Sequence, residues 1–180
     1  MAAVARAKAL AVAAELAGRA RPAVILGADT EVVLDGRLLG KPHDAADAAR
    51  MLRELRGREH EVITGLALVD LPAVGPAPEP ETASVTSRVR MGEYSDGEIA
   101  AYVATGEPLD KAGGYAVQGL GGRLVAAVDG CLTNVIGLPL QTTRALLARH
   151  GFRSEGAIDR NGLRPLGPPP IPPPGTDCAG

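Results

Sequence analysis

Apolar and polar positions change their spacing several times along this chain, and each change marks an element. Ala2 to Ala17 is alanine-rich and stops at Gly18, which predicts a helix with a glycine terminator. Ala23 to Leu26 is a short apolar run, partly β-branched, and predicts a buried strand ending near Gly27. Val32 to Leu39 places Asp35-Gly36 between "VVL" and "RLL", a hairpin signal. Asp44 can cap a helix that puts Ala48, Met51, Leu52 and Leu55 on one face and ends at Gly57. Val62 to Val69 predicts a further strand, followed by the Pro-rich loop "LPAVGPAPEPET". Ala83, Val85, Ser87, Val89 and Met91 then alternate with Ser84, Thr86, Arg88 and Arg90, the period of an antiparallel strand with one wet face. Ser95 to Glu98 reads as a capping box opening a helix through Ile99, Tyr102 and Val103. Glu107 to Gly122 is irregular, Arg123 to Val128 a strand, and "GLPLQTTRALLARHG" ends in a helix stopped by Gly151.

Strands and helices alternate at first and antiparallel signals follow, which predicts an α/β or α+β fold with a mixed sheet. Of 180 residues 46% are hydrophobic, enough for one domain with a real core. From Arg153 the composition shifts to "RPLGPPPIPPPGTDCAG", so 153–180 reads as a Pro-rich disordered tail behind a domain of residues 1–152. A net charge of -2 and an aromatic content of 2% argue against nucleic acid as a partner, which would need basic surface or stacking platforms. The first segment is interrupted by Lys8 and Glu15, so it is neither a signal peptide nor a membrane span, and the chain reads as soluble and cytoplasmic. Cys178 falls in the tail, so no structural disulfide is expected, and Cys131 reads as a packing residue.

Candidate chemistry lies where charge meets glycine. Asp29-Thr30 follows an apolar run, where an ionised carboxylate can hold a divalent cation or take a proton from water; the alternative is an ordinary turn residue. In "GKP", Pro42 restricts Lys41 to an extended backbone, aiming an ammonium that can meet phosphate or simply face solvent. Lys8 is the only lysine of its helix, and locally reads as a surface residue. "EPLDKAGGYAVQGLGG" gathers Glu107, Asp110, Lys111 and Gln118 among five glycines, which let backbone approach a ligand; tight turns would use them equally. His43, His60 and His150 have no metal-ligand spacing, and no Walker A, GxGxxG or GxSxG motif occurs.

Six segments in one order carry a resemblance: "AxxKA" (Ala5–Ala9), "GADT" (Gly27–Thr30), "GKP" (Gly40–Pro42), "HEVITG" (His60–Gly65), "EPLDKAGGYAVQG" (Glu107–Gly119) and "NVIGLPL" (Asn134–Leu140). From about Val4 to Phe152 the chain resembles the Maf family of nucleoside triphosphate pyrophosphatases. The resemblance implies an elongated α/β fold, similar to the inosine-triphosphatase-like pyrophosphatases, with a mixed sheet, flanking helices and a central cleft between two lobes. It implies hydrolysis of a nucleoside triphosphate to monophosphate and pyrophosphate with a divalent cation, Mg²⁺ or Mn²⁺, in a house-cleaning role. It implies Asp29 as proton acceptor and metal ligand, Lys8 and Lys41 at the triphosphate, Asp110 and Lys111 beside the substrate, and Thr30 and Gln118 at positions that tune base choice. The "ADT" and "QG" pairing resembles the branch acting on dTTP and UTP. A homodimer is a partner state the family allows. The family normally opens with a strand and an "SxSPRR" segment, whereas this chain opens inside the Lys8 helix. The resemblance therefore predicts a gap in the sheet where that N-terminal strand would lie. A rival reading is a nucleotide-binding or septum-related interaction protein without turnover.

Overall fold

The computed structural model describes residues 1–18, 22–72 and 74–152; the Pro-rich tail and Cys178 lie outside the described residues. The chain order is α1 (Ala2–Leu16), β1 (Ala23–Leu34), β2 (Arg37–Leu39), α2 (Ala45–Leu55), β3 (Glu59–Leu71), β4 (Glu81–Met91), α3 (Asp96–Val103), three short 3₁₀ turns from Glu107 to Leu124, β5 (Val125–Asp129), α4 (Leu132–Ile136) and α5 (Leu140–Arg149). The five strands form one sheet in the order β2-β1-β3-β4-β5. This is the expected α/β class, a sheet flanked by helices. Parallel pairings were expected beside antiparallel ones, yet all four pairings among the described strands are antiparallel. The reason is that α2 leads from β2 across to the far side of β1, so β3 enters the sheet running against β1 rather than beside β2.

Local chemistry explains most boundaries. Leu34 pairs with Arg37 across Asp35-Gly36, both with positive φ (51° and 75°), the geometry of a two-residue type I′ hairpin. The Asp44 carboxylate accepts the Asp47 N–H at 2.8 Å and starts α2. Ser95 and Glu98 cap α3 reciprocally, as their spacing predicts. The short helix α4 has no counterpart in the sequence pattern, being one turn set by its surroundings. Cys131 precedes it and is buried; the expectation that it forms no disulfide turns on Cys178, outside the described residues.

Each face of the sheet is covered differently. On one face α1 lies over β1 and β3, with Ala5, Ala9 and Ala13 against Ile25, Ala67, Val69 and Leu71. The contact is close because two strand positions are glycine: a Cβ on Gly27 would sit 2.3 Å from the Ala5 carbonyl oxygen, and one on Gly65 would sit 2.3 Å from the Ala2 nitrogen. On the other face the larger core holds Val32, Leu34, Leu52, Leu55, Val62, Val89, Met91 and Ile99, and a smaller cluster packs Leu146 of α5 on Leu66 and Leu68. Leu34, Leu52, Leu55 and Leu66 are wholly buried, and each such side chain stabilises the fold by about 1.5–3 kcal/mol.

Candidate active site

β1 is longer than the sequence pattern implies, and this decides the meaning of Asp29. The strand runs unbroken from Ala23 to Leu34, with Asp29 opposite Gly65 and Thr30 opposite Thr64. Asp29 is therefore mid-strand, neither a turn residue nor a strand end. The apolar run breaks there because side chains alternate faces along a strand and both faces here hold polar groups. Over Ala23–Glu31 the outer edge of β1 has no strand beside it among the described residues, since β2 pairs only with Val32–Leu34.

On the α1 face, the Lys8 ammonium donates to Asp29 Oδ1 at 2.6 Å and approaches the Ala28 carbonyl oxygen at 3.4 Å. The Lys8 side chain is 56% exposed and that of Asp29 only 12%. Asp29 Oδ2 is buried and has no hydrogen-bond partner. A carboxylate oxygen in that state is an acceptor awaiting a proton donor or a cation. A divalent cation fits this oxygen, but no group of three or more His, Cys, Asp or Glu among the described residues could hold one. That donor set suits an ion of the Mg²⁺ kind, which binds through one or two carboxylates together with substrate phosphates, rather than a resident caged metal.

Thr30 points to the opposite face. Its hydroxyl lies 2.8 Å from that of Thr64 and donates to the Gly137 carbonyl at 3.2 Å, so the turn between α4 and α5 is seated on β1. Lys41 is exposed just beyond β2, and the Gly40 carbonyl accepts the Gly113 N–H at 3.0 Å, which brings the 107–122 loop to it. There Lys111 pairs with Asp110, and the ammonium groups of Lys111 and then Lys41 hold the Asp110 carboxyl below the usual range. Gln118 is exposed on the same loop. Its loop is shaped by Glu107, whose carboxylate accepts the Leu120 N–H at 3.0 Å, the Gly121 N–H at 3.1 Å and the Tyr102 hydroxyl at 2.9 Å. Burial pushes the Glu107 carboxyl up, but the two backbone N–H groups and Tyr102 outweigh it and the net direction is down.

The structure thus joins Lys8 to Asp29 and Lys111 to Asp110, with Lys41 near enough for its charge to act on Asp110, and no hydrogen bond or ion pair links the two groups among the described residues. Two grooves lie elsewhere: one of about 590 Å³ near Pro22, Leu71 and Phe152, another of about 210 Å³ near Asp35, Glu59 and Arg88. Neither is lined by a candidate residue. The larger is walled mainly by proline and aliphatic side chains, a poor host for a triphosphate. Sequence reasoning overlooked Thr64, and it named Glu107 among the charged residues of its loop without the part it plays in shaping that loop. "HEVITG" is a motif in the sequence, but nothing in it separates a structural threonine from one that touches Thr30.

A family model described as "Maf-like protein" matches residues 1–150. This chain belongs to the Maf family. Among curated relatives, a "dTTP/UTP pyrophosphatase" of Anaeromyxobacter sp. (strain Fw109-5) is 52% identical over 147 residues, 82% of this chain and 71% of the relative. One of Moorella thermoacetica is 52% identical over 156 residues, 87% of this chain and 76% of the relative. One of Dictyoglomus turgidum is 49% identical over 132 residues, 73% of this chain and 66% of the relative, just under two thirds of its length.

Proposed function

We propose that this protein hydrolyses dTTP and UTP to the nucleoside monophosphate and pyrophosphate. The observation that carries the chemistry is the Asp29 carboxylate, tied through Oδ1 to Lys8 while Oδ2 stays buried and unpartnered. The substrate choice rests on the likeness to relatives described as dTTP/UTP pyrophosphatases at about half identity.

In this reading Asp29 Oδ2 accepts a proton from a water molecule. The resulting hydroxide oxygen bonds to the α-phosphorus in line with the bond to the bridging oxygen that breaks, and pyrophosphate departs with that oxygen. Lys8 fixes the carboxylate's orientation, and its exposed ammonium can also meet phosphate. Lys41 and Lys111 answer the β- and γ-phosphate charge, a triphosphate displacing Asp110 from Lys111. Gln118, with a donor and an acceptor on one amide, suits the edge of a pyrimidine base. Thr30 contributes by position, its hydroxyl being engaged with Thr64 and Gly137. Asp29 would hold a divalent cation, Mg²⁺ or Mn²⁺, which supplies neutralisation of phosphate charge when bound. No helix among the described residues is long and apolar enough to cross a membrane, and a cytoplasmic location belongs to the same reading, since that is where a nucleoside triphosphate substrate would be met. A homodimer belongs to the same reading, and mass in solution tests it.

The decisive experiment incubates the protein with dTTP or UTP and Mg²⁺ and measures pyrophosphate. Wild type should release it, and Asp29→Asn should lose at least about a hundredfold in rate while keeping its thermal melt. Nucleotide-induced thermal stabilisation without pyrophosphate release would favour the rival reading of a binding protein. Full turnover by Asp29→Asn would remove Asp29 from the role of proton acceptor.

A further inference from the structure

We infer that Thr64 is a positioning residue for Asp29, acting through Thr30 and the turn at Gly137; this rests on the proposed hydrolysis. Over Ala23–Glu31, β1 is held laterally by β3 alone among the described residues. A carboxylate that acts on a water must be held within about half an ångström, so the backbone that carries it needs restraint besides the β3 ladder. Lys8 orients the carboxylate through Oδ1, but that ammonium is itself 56% exposed and does not hold the Asp29 backbone.

That restraint lies on the other face of the sheet, one residue along. Thr64 is wholly buried and stands directly opposite Thr30. Each hydroxyl has one proton to give. The assignment that uses the shortest contacts has Thr64 donating to Thr30 at 2.8 Å and Thr30 donating onward to the Gly137 carbonyl at 3.2 Å. The Asn134 carbonyl, 3.4 Å from Thr64 Oγ1, is the alternative acceptor. The receiving turn is itself anchored. Asn134, also wholly buried, donates its amide to the Val62 carbonyl and to Ser87 Oγ, both at 2.9 Å, and so grips β3 and β4. Ser87 Oγ in turn donates to the Cys131 carbonyl and accepts the Cys131 N–H, each at 3.0 Å. Thr30 of β1 is therefore tied directly to the anchored turn, and Thr64, donating from β3, turns the Thr30 hydroxyl so that its proton points at the Gly137 carbonyl. With no contact to the Asp29 side chain, it works only by fixing the backbone that carries the carboxylate.

The test compares Thr64→Val, which keeps the shape and deletes the hydroxyl, with Thr64→Ser, which restores it. Steady-state pyrophosphate release from dTTP with Mg²⁺ should show kcat down about tenfold or more in Thr64→Val with KM within about twofold, because the hydroxyl touches none of the lysines that answer the phosphates. Thr64→Ser should lie within about threefold of wild type. A purely structural role would lower the melting temperature and leave kcat below that temperature unchanged; that result, a change in KM alone, or a Thr64→Ser as slow as Thr64→Val would overturn the inference. If Thr64→Val fails to fold, Thr64→Ala serves, with the same expected split. Should wild type release no pyrophosphate, the hydrolytic reading fails separately, and amide hydrogen exchange at Asp29–Glu31 then judges the restraint. Faster exchange in Thr64→Val but not in Thr64→Ser sustains it, and equal exchange in all three proteins refutes it.

Discussion

Acidification from pH 7 to pH 5 should cost this fold about 2 kcal/mol through His60 alone. His60 sits on β3 with 2% of its surface exposed, its Nε2 2.8 Å from the Tyr115 hydroxyl and its ring edge-on to the tyrosine. Its Nδ1 is buried with no partner. In the imidazolium both nitrogens carry hydrogen and the one on Nδ1 has nothing to receive it, and burial lowers the pKa from 6.5 to about 4. The sign follows from proton counting. Between about 4 and 6.5 the unfolded chain binds a proton that the folded chain refuses, so His60's contribution is intact above the unfolded value and declines as pH falls toward the folded one. At pH 5, about 1.5 pH units below the unfolded value, the loss is about 1.4 kcal/mol for each of those units. Urea unfolding of wild type and His60→Gln at both pH values isolates it. Glutamine is neutral throughout and can still meet Tyr115, so the variant's stability should fall by about 2 kcal/mol less than that of wild type between pH 7 and 5. Equal falls in the two proteins would show that His60 is neutral-to-charged without penalty, and that the buried ring is better solvated than its contacts imply.

His150 works in the opposite sense. It ends α5 and bridges Asp70 of β3 and Glu81 of β4, and those two carboxylates, Asp70 first, raise its pKa. Its stabilisation is complete below the unfolded value near 6.5 and is lost as pH rises through the raised folded value, so His150→Gln should lower the melting temperature at pH 6 and leave it nearly unchanged at pH 9. Gly65→Ala puts a Cβ 2.3 Å from backbone atoms at the start of α1, and overpacking of that kind should cost about 1–3 kcal/mol in chemical denaturation. An unchanged midpoint would mean that α1 shifts freely on the sheet.

Periodicity and punctuation were enough to place most elements. Asp35-Gly36, Asp44 and the Ser95–Glu98 box act within three or four residues of themselves, so their geometry follows from local sequence. The alternation from Ala83 to Met91 likewise foretold which side of β4 is wet. The strand through Asp29 was not legible in the same way. Two short apolar runs with polar residues between them look like two strands and a turn. They are one strand because β3 offers a backbone partner at every position from Ala23 to Val33. The single turn of α4 was equally invisible, having no periodicity of its own.

What the sequence by itself determined was the identity of the chemical groups: a carboxylate at 29, lysines at 8, 41 and 111, an amide at 118, and the order of motifs that the family shares. What only the tertiary structure decided was which of those groups meet and which way they face. Asp29 and Thr30 are neighbours in the chain yet lie on opposite faces of the sheet, one with Lys8 and one with Thr64 and Gly137. Lys8, an unremarkable helix lysine in the sequence, reaches Asp29 because glycines at 27 and 65 let α1 lie against the strands. Such pairings depend on contacts between residues 20 to 107 positions apart, and local spacing carries no information about them.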